Sequence, residues 1–242
     1  MKKLLLTALA VSLAAATQVG ALTVTVTQIS GYSTGTGGEF NVNPITGVGY
    51  APSVIIGGGF ETFCIAKNVG ITIPGTYSAT VNADGVYVTD YSGGTKTLSL
   101  GTAYLYQQFA TGVLAGYHYN DIIGGAGSGR ALDAQMLQLA IWNLEGTYTY
   151  LGGDVTALTN PFIALAANQF GGGLAGLAAA RAANGAGGFG VGALNLTGDG
   201  TTLPRGTPVQ SMLILLPDGG TTLMLMGIGF SSLALISRKF RA

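Results

Sequence analysis

The sequence has little of several residue types on which common kinds of protein site depend. It contains one Cys, one His and ten acidic residues in 242, and only 8 % of its residues are charged. A single Cys excludes a disulfide framework within the chain. A formal net charge of zero argues against nucleic-acid binding, which requires a basic face. The acidic residues and the His show no metal-ligand or triad spacing, so a hydrolytic enzyme is a weak alternative and we expect neither catalysis, metal nor cofactor.

The first 21 residues have the three parts of a secretory signal peptide. A basic start at Lys2 and Lys3 precedes an apolar run over residues 4–16, and small residues follow at Gly20 and Ala21. A retained membrane anchor is the alternative, but it needs a longer apolar run. We therefore expect residues 1–21 to be removed on export, so that the mature chain begins at Leu22.

Residues 216–242 have the layout of a sorting tail. A turn-forming motif (216–222) leads into an apolar transmembrane helix (223–236) and then a basic end (237–242) that contains Arg238, Lys239 and Arg241. The basic end is expected to stay cytoplasmic, and the apolar segment is shorter than the roughly 20 residues of a full span. A short segment suits a transient anchor. The alternative is an ordinary hydrophobic C-terminal helix.

The motif at the start of this tail is Leu216-Pro217-Asp218-Gly219-Gly220. It resembles the PEP-CTERM class of bacterial sorting signals, in the variants that read Val-Pro-Asp-Gly-Gly or Val-Pro-Asp-Ser-Gly, with Leu in the first position here. The resemblance implies recognition by a membrane exosortase in a Gram-negative envelope, followed by release or transfer to the cell surface. The same residues are one residue from a Gram-positive Leu-Pro-x-Thr-Gly sortase motif. The short signal peptide and the absence of a long wall-spanning linker favour the first interpretation.

The only Trp lies in a segment, residues 134–145, that lacks Gly and Pro and is rich in helix formers. Its apolar residues recur at helical spacing, which predicts a largely buried helix. Gln138 and Trp142 are four residues apart, so they share one face of that helix. The only Cys lies far upstream, in the apolar segment 60–65.

Two short motifs connect these segments: Phe63-Cys64, and then Leu137-Gln138 with Ile141-Trp142. Together they resemble the thioester domains of bacterial surface adhesins. The resemblance implies that the Cys64 thiol and the Gln138 carbonyl join with loss of ammonia, and that an external nucleophile is later captured covalently. In that family's chemistry Cys64 is the leaving thiol, the Gln138 carbonyl is the electrophile, and Phe63 and Trp142 shield the bond. The alternative is a buried free cysteine beside a core helix.

Residues 22–215 are predicted to form one α+β domain, with a mainly antiparallel, sandwich-like sheet and two or three packed helices. Residues 31–49 are read as a loop or an irregular strand. The predicted strands are 22–29, 54–56, 60–66 with Cys64, a hairpin of 77–81 and 86–89, 97–100, 191–196 and 208–215. The predicted helices are 103–114, 134–145, 161–170 after an Asn160 cap, and an Ala-rich segment to 183.

The sequence contains two further features of a kind that functional sites use, a single His and a glycine run. His118 could act as a general base near neutral pH, but we expect a loop residue hydrogen-bonded locally, because nothing ties it to Cys64. The glycine run at 124–129 lacks the Lys-Ser/Thr of a phosphate-binding loop, so only flexibility is assigned to it.

The sequence thus predicts an exported cell-surface or extracellular-matrix protein that attaches covalently to surfaces through a Cys64–Gln138 thioester. The expected partners are an exosortase, the membrane through the C-terminal helix, and an amine- or hydroxyl-bearing surface ligand. The alternative is a structural envelope or matrix protein with no reactive thioester.

Overall fold

The structure is a computed structural model that describes residues 22–34, 37–44, 59–120, 129–201 and 203–216. These residues form an α+β fold with antiparallel sheets, as predicted. The strands are β1 (Leu22–Thr34), β2 (Gly37–Pro44), β3 (Phe60–Thr62), β4 (Gly75–Asn82), β5 (Val86–Val88), β6 (Thr95–Thr97), β7 (Val191–Gly198) and β8 (Met212–Leu215). The helices are α1 (Leu100–Ala110), α2 (Gly129–Leu144), α3 (Gly153–Ala157), α4 (Pro161–Gln169), α5 (Gly173–Ala180) and a 3₁₀ helix (Gly185–Gly190).

Several predicted segments lie outside the described residues. They are the signal peptide (1–21), the strand at 54–56, most of the glycine run (121–128), and all of the sorting tail after Leu216.

The larger sheet has six strands in the order β3-β2-β1-β4-β7-β8, and every neighbouring pair is antiparallel. Leu22, Val24 and Val26 of β1 are buried, whereas the threonines between them are at least partly exposed. This alternation confirms the strand predicted at residues 22–29. Residues 31–49 contain the end of β1 and all of β2, so the prediction of a loop there is wrong and that of an irregular strand is closer.

The two edges of the six-stranded sheet meet next to Cys64. Ile65 N–H donates to Ser211 O at 3.0 Å, and Leu213 N–H donates to Phe63 O at 3.2 Å. Cys64 itself forms an isolated antiparallel bridge with Met212. The prediction that a strand over residues 60–66 carries Cys64 is therefore wrong in its extent, because β3 ends at Thr62 and the cysteine lies at the seam where the sheet closes.

The predicted hairpin of residues 77–81 and 86–89 is also wrong. Both segments are extended, but β4 pairs with β1 and β7, whereas β5 pairs with β6 in a separate two-stranded sheet. A turn does form, with Gly85 N–H donating to Asn82 O. The Asn82 side chain then accepts from Val86 N–H at 3.1 Å, so that donor is not offered to β4.

The described residues contain five α-helices rather than the predicted two or three. The short helix α3 was not predicted, whereas α5 is the predicted Ala-rich helix, which ends at Ala180. The segment 134–145 is helical, within α2. The predicted cap of α4 is confirmed, since Asn160 Oδ1 accepts from the N–H groups of Phe162 and Ile163. The predicted strand at 97–100 ends early because Ser99 caps α1, whose first residue is Leu100.

The buried apolar side chains form two clusters, and the chain around Cys64 contributes residues to both. Phe63 and Ile65 belong to the cluster that includes residues of α1, α2, α4 and α5. Cys64 and Trp142 belong to the other, with β-strand residues such as Val24, Val26, Tyr77 and Met212. Successive residues of an extended chain point to opposite sides, so Cys64 faces away from the cluster that holds Phe63 and Ile65.

Among the described residues no single helix has both the length and the apolar character needed to cross a membrane. Within the same described residues one pair of helices, α4 and α5, reaches that length and composition together, but their axes are bent by 86° at the break between them.

Candidate functional site

The structure brings the Gln138 amide into direct contact with Cys64. Cys64 N–H donates to Gln138 Oε1 at 3.0 Å, and Gln138 Nε2 donates to Cys64 O at 2.7 Å. The two residues are 74 positions apart in the chain, and both are buried. The pair predicted from two short motifs is therefore in contact in the folded chain.

This contact is possible because the backbone of Cys64 has no second strand beside it. In the bridge with Met212, the hydrogen bonds on the β8 side are made by the neighbours Phe63 and Ile65. On the other side β3 pairs with β2 only as far as Thr62. The N–H and C=O of Cys64 therefore point toward α2, where the amide of Gln138 satisfies both groups.

Gly37 provides the space in which this side chain lies. A Cβ atom at Gly37 would be 2.6 Å from Gln138 Cγ and 3.3 Å from Trp142 Cη2. The first distance is far below van der Waals contact. The start of β2 therefore requires glycine here, so that α2 can approach closely enough for Gln138 to reach Cys64.

Burial raises the pKa of the Cys64 thiol above its ordinary value. The thiol therefore stays neutral at physiological pH and is a weak nucleophile toward reagents in solution. An intramolecular attack on Gln138 has to transfer the thiol proton within the site. In such a reaction the adjacent amide nitrogen could receive that proton and would leave as ammonia.

A cavity of about 380 Å³ opens beside Cys64. Its wall includes Cys64 of the predicted thioester and Trp142 of the predicted shielding pair, together with Lys67 and Gln210. The remaining lining residues are mostly apolar: Phe40, Ala66, Val69, Gly70, Ile71 and Ile73, with Gln28. A small molecule from solvent can therefore reach Cys64, whereas Gln138 is buried and is not among the lining residues.

The two residues predicted to shield the thioester occupy different positions. Trp142 is 4 % exposed and lines the cavity next to Cys64. Phe63 packs edge-on against Phe109 at 5.0 Å, in the cluster on the other side of the chain, and is not among the residues that line the cavity. Trp142 is thus placed to limit access of water to this site, and Phe63 to hold the strand in position.

His118 lies away from the cavity. Its Nδ1 is 2.7 Å from Asp133 Oδ2, and its side chain is 62 % exposed. The expectation of a locally hydrogen-bonded loop residue is confirmed. A role as general base for Cys64 has no geometric support, because His118 does not line the cavity at Cys64.

A second polar cluster, which the sequence did not predict, is formed by Glu39, Glu61, Arg130 and Tyr117. Arg130 Nη2 lies 2.7 Å from Glu39 Oε2 and 2.8 Å from Glu61 Oε2. Tyr117 donates to Glu39 Oε1, and Glu61 Oε1 has no partner among the described residues. Burial, followed by the charge of Glu39, raises the pKa of Glu61 from its ordinary 4.5 to about 7.

Sequence reasoning missed this cluster and Gln210. A signal was present for the cluster, because charged residues are rare in this chain and Glu39 and Glu61 sit in segments read as strand or loop. No comparable signal marks Gln210, which precedes β8 as one of several polar residues.

Of the predicted sorting motif only Leu216 is described. Its N–H donates to Gly190 O at 2.7 Å, so the motif begins at a residue attached to the domain. Pro217, Asp218, Gly219 and Gly220 and the basic end with Arg238, Lys239 and Arg241 lie outside the described residues. No group of three or more His, Cys, Asp or Glu within the described part of the chain is arranged to hold a metal ion.

Comparison of the chain with protein-family models, curated proteins and solved structures finds no match.

Proposed function

We propose that this is an exported cell-surface or extracellular-matrix protein that forms an internal thioester between Cys64 and Gln138 and uses it for covalent attachment. The observation that carries the proposal is the pair of hydrogen bonds between the Gln138 amide and the Cys64 backbone, at 3.0 and 2.7 Å. They hold the amide against the residue that bears the thiol, inside the protein and beside a cavity.

Formation of the bond follows from this proximity. Cys64 Sγ attacks Gln138 Cδ, a C–S bond forms, the C–N bond breaks, and the thiol proton leaves with the nitrogen as ammonia. An amide is a poor electrophile, so the reaction depends on held proximity, which gives effective concentrations on the order of 10⁵ M or more. Exclusion of water by Trp142 then protects the product from hydrolysis.

In the attachment step Cys64 Sγ, the nucleophile of the first reaction, becomes the leaving group. An external amine or hydroxyl attacks Gln138 Cδ, the C–S bond breaks, and the proton of the nucleophile passes to Cys64 Sγ. The Cys64 N–H, which donates to Gln138 Oε1, is placed to stabilise the negative charge that develops on that oxygen. The chain is consumed once in this reaction, so the protein is not an enzyme in the ordinary sense.

The proposal includes export and sorting. β1 begins at Leu22, so removal of residues 1–21 leaves every described strand in place. The predicted sorting tail begins at Leu216, the last described residue. An exosortase would act on its motif, and the predicted C-terminal helix would hold the chain transiently in the inner membrane. Replacement of both Pro217 and Asp218 by Ala should keep the protein in the membrane fraction, whereas the wild type should reach the cell surface or the medium.

A second candidate is a structural envelope or matrix protein in which the thioester does not form. The same hydrogen bonds favour it, because the Gln138 amide already satisfies the backbone of Cys64 and fastens α2 to the seam of the sheet. In this case Cys64 is a free buried thiol and its side chain only fills space.

Intact mass spectrometry of the purified protein separates the two candidates. In the first, the wild type is lighter than its sequence mass by one ammonia, and the Cys64→Ala and Gln138→Leu variants are not. Cys64 then resists thiol reagents even in denaturant, until methylamine opens the bond and adds to Gln138.

A wild-type mass that includes the full amide, with Cys64 labelled at once in denaturant, would leave only the structural candidate.

A further inference from the structure

Two buried residues in the wall of the cavity have polar side-chain atoms with no hydrogen-bond partner among the described residues. Gln210 is 1 % exposed, and neither its Nε2 nor its Oε1 is bonded within the described part of the chain. Trp142 is 4 % exposed, and its indole Nε1 has no partner there either. A buried donor or acceptor without a partner destabilises a protein, so each such group in a native structure calls for an explanation, and a bound ligand that supplies the missing partner is one.

The described part of the cavity wall carries a positive charge and no negative one. Among the described lining residues Lys67 alone is charged, and none is acidic. Lys67 is exposed, and its Nζ lies 4.5 Å from the ring centroid of Tyr148 and 5.9 Å from that of Trp142. A cationic ligand that enters this cavity therefore approaches a positive charge with no carboxylate to offset it.

We infer that the cavity beside Cys64 selects a neutral, hydroxyl-bearing ligand of the carbohydrate class, and that the group captured by the thioester is a sugar hydroxyl rather than an amine, which is mainly protonated in solution at neutral pH. This inference rests on the proposed thioester. A hydroxyl both donates and accepts, so it can accept from Trp142 Nε1–H or Gln210 Nε2–H and donate to Gln210 Oε1. An ammonium group has donors only and leaves both nitrogen donors unsatisfied.

Capture of the sugar needs no group other than the hydroxyl, the thioester carbonyl and the Cys64 sulfur. The sugar oxygen attacks Gln138 Cδ and forms an ester, the C–S bond of the thioester breaks, and the hydroxyl proton passes to Cys64 Sγ, which becomes a thiol again. Gln210 and Trp142 act here as positioning residues, since they hold the hydroxyl and do not exchange bonds themselves.

The test compares two small nucleophiles, methyl α-D-glucopyranoside and methylamine, at neutral pH. Adduct formation on the purified full-length protein is followed by mass spectrometry, for the wild type and for Gln210→Met, Lys67→Glu and Val69→Ala. Val69 lines the same cavity with an apolar side chain, so its variant is the matched control. The initial mass of each variant, short by one ammonia, shows that its thioester is intact.

We expect Gln210→Met to slow the glucoside reaction about tenfold, which corresponds to the loss of one hydrogen bond, and to leave the methylamine reaction within about twofold. Lys67→Glu should speed the methylamine reaction several-fold without speeding the glucoside reaction. Because Lys67 is exposed, this variant remains informative if Gln210→Met does not fold.

A wild type that loses ammonia and takes up methylamine but no glucoside overturns this inference and leaves the proposed function standing. The same holds if the ratio of the two rates is unchanged in both Gln210→Met and Lys67→Glu. A wild type that never loses ammonia overturns both.

Discussion

The side chain of Gln138 takes the place of a neighbouring strand beside Cys64. Its Oε1 accepts from the Cys64 N–H and its Nε2 donates to the Cys64 carbonyl, which is the pattern that an adjacent strand would supply. The amide thus completes the seam at which the sheet closes. The same geometry places the amide carbon next to the residue that carries the only thiol of the chain.

Replacement of Gln138 by Leu should destabilise the fold strongly. The variant keeps the side-chain volume but leaves the N–H and C=O of Cys64 buried without partners, at a cost of about 2–4 kcal/mol in the free energy of unfolding, to which loss of the proposed thioester adds its own contribution. Urea denaturation followed by circular dichroism measures the loss. Gln135→Leu is the matched control, because it is the same substitution on α2 at a partly exposed position. Equal stability of the two variants would show that the hydrogen bonds to Cys64 are of little consequence.

Replacement of Cys64 by Ala tests whether the two residues are covalently joined. The variant retains both hydrogen bonds, since they involve only backbone atoms of residue 64. Loss of a small buried side chain alone should lower the free energy of unfolding by about 1 kcal/mol. Loss of a covalent link between residues 74 apart should lower it by about 4 kcal/mol, because the link restricts the unfolded chain.

The proposed thioester therefore predicts the larger value. Wild-type protein treated with methylamine should unfold like Cys64→Ala under the same conditions. A loss of only about 1 kcal/mol, with no effect of methylamine, would be the result for a free thiol.

Gly37→Ala should displace Gln138 from Cys64. The added Cβ would lie 2.6 Å from Gln138 Cγ, so the side chain or the start of β2 has to move. We expect a loss of about 1–3 kcal/mol, typical of overpacking, and a smaller fraction of molecules short by one ammonia. Gly185→Ala is the control, because a Cβ there meets no atom within 4 Å. An unchanged thioester fraction in Gly37→Ala would show that this close approach does not position the amide.

The helix of Gln138 and the first strand could be predicted from the sequence, because their periodicity reflects local burial. Leu22, Val24 and Val26 alternate with threonine, and Leu137, Ala140, Ile141 and Leu144 recur at helical spacing. The start of α4 could be predicted equally well, because the N-cap Asn160 is followed directly by Pro161 at the first helical position. Such signals involve neighbours in the chain, so no tertiary information is needed.

Pairing between distant segments could not be predicted in the same way. β4 joins β1 and β7 rather than β5, a choice that depends on which edges the folded sheet leaves available. The position of Gln210 in the cavity wall has the same origin, since it depends on the closure of the sheet near Cys64. Recognition of the Cys64–Gln138 pair came from a resemblance between motifs and not from any rule of spacing.

The pH dependence of stability should reflect Glu61. Its carboxyl group is buried with Glu39 against the single guanidinium of Arg130, and Tyr117 donates to Glu39. The pKa of Glu61 is raised to about 7, so the folded state binds a proton that the unfolded state releases near 4.5. This stabilisation is fully present below about pH 4.5 and is lost as the pH rises through about 7.

Glu61→Gln should remove this dependence. Glutamine resembles the protonated carboxyl and can still accept from Arg130, so the variant should match the wild type near pH 5 and be more stable near pH 8, by on the order of 1–3 kcal/mol. Denaturant titrations between pH 5 and 8 measure the difference. Asp84→Asn, in the exposed turn before β5, removes one carboxylate without touching the cluster and accounts for the change in net charge. Unfolding free energies of wild type and Glu61→Gln that stay parallel over this range would mean that Glu61 is already ionised in the folded state at pH 5.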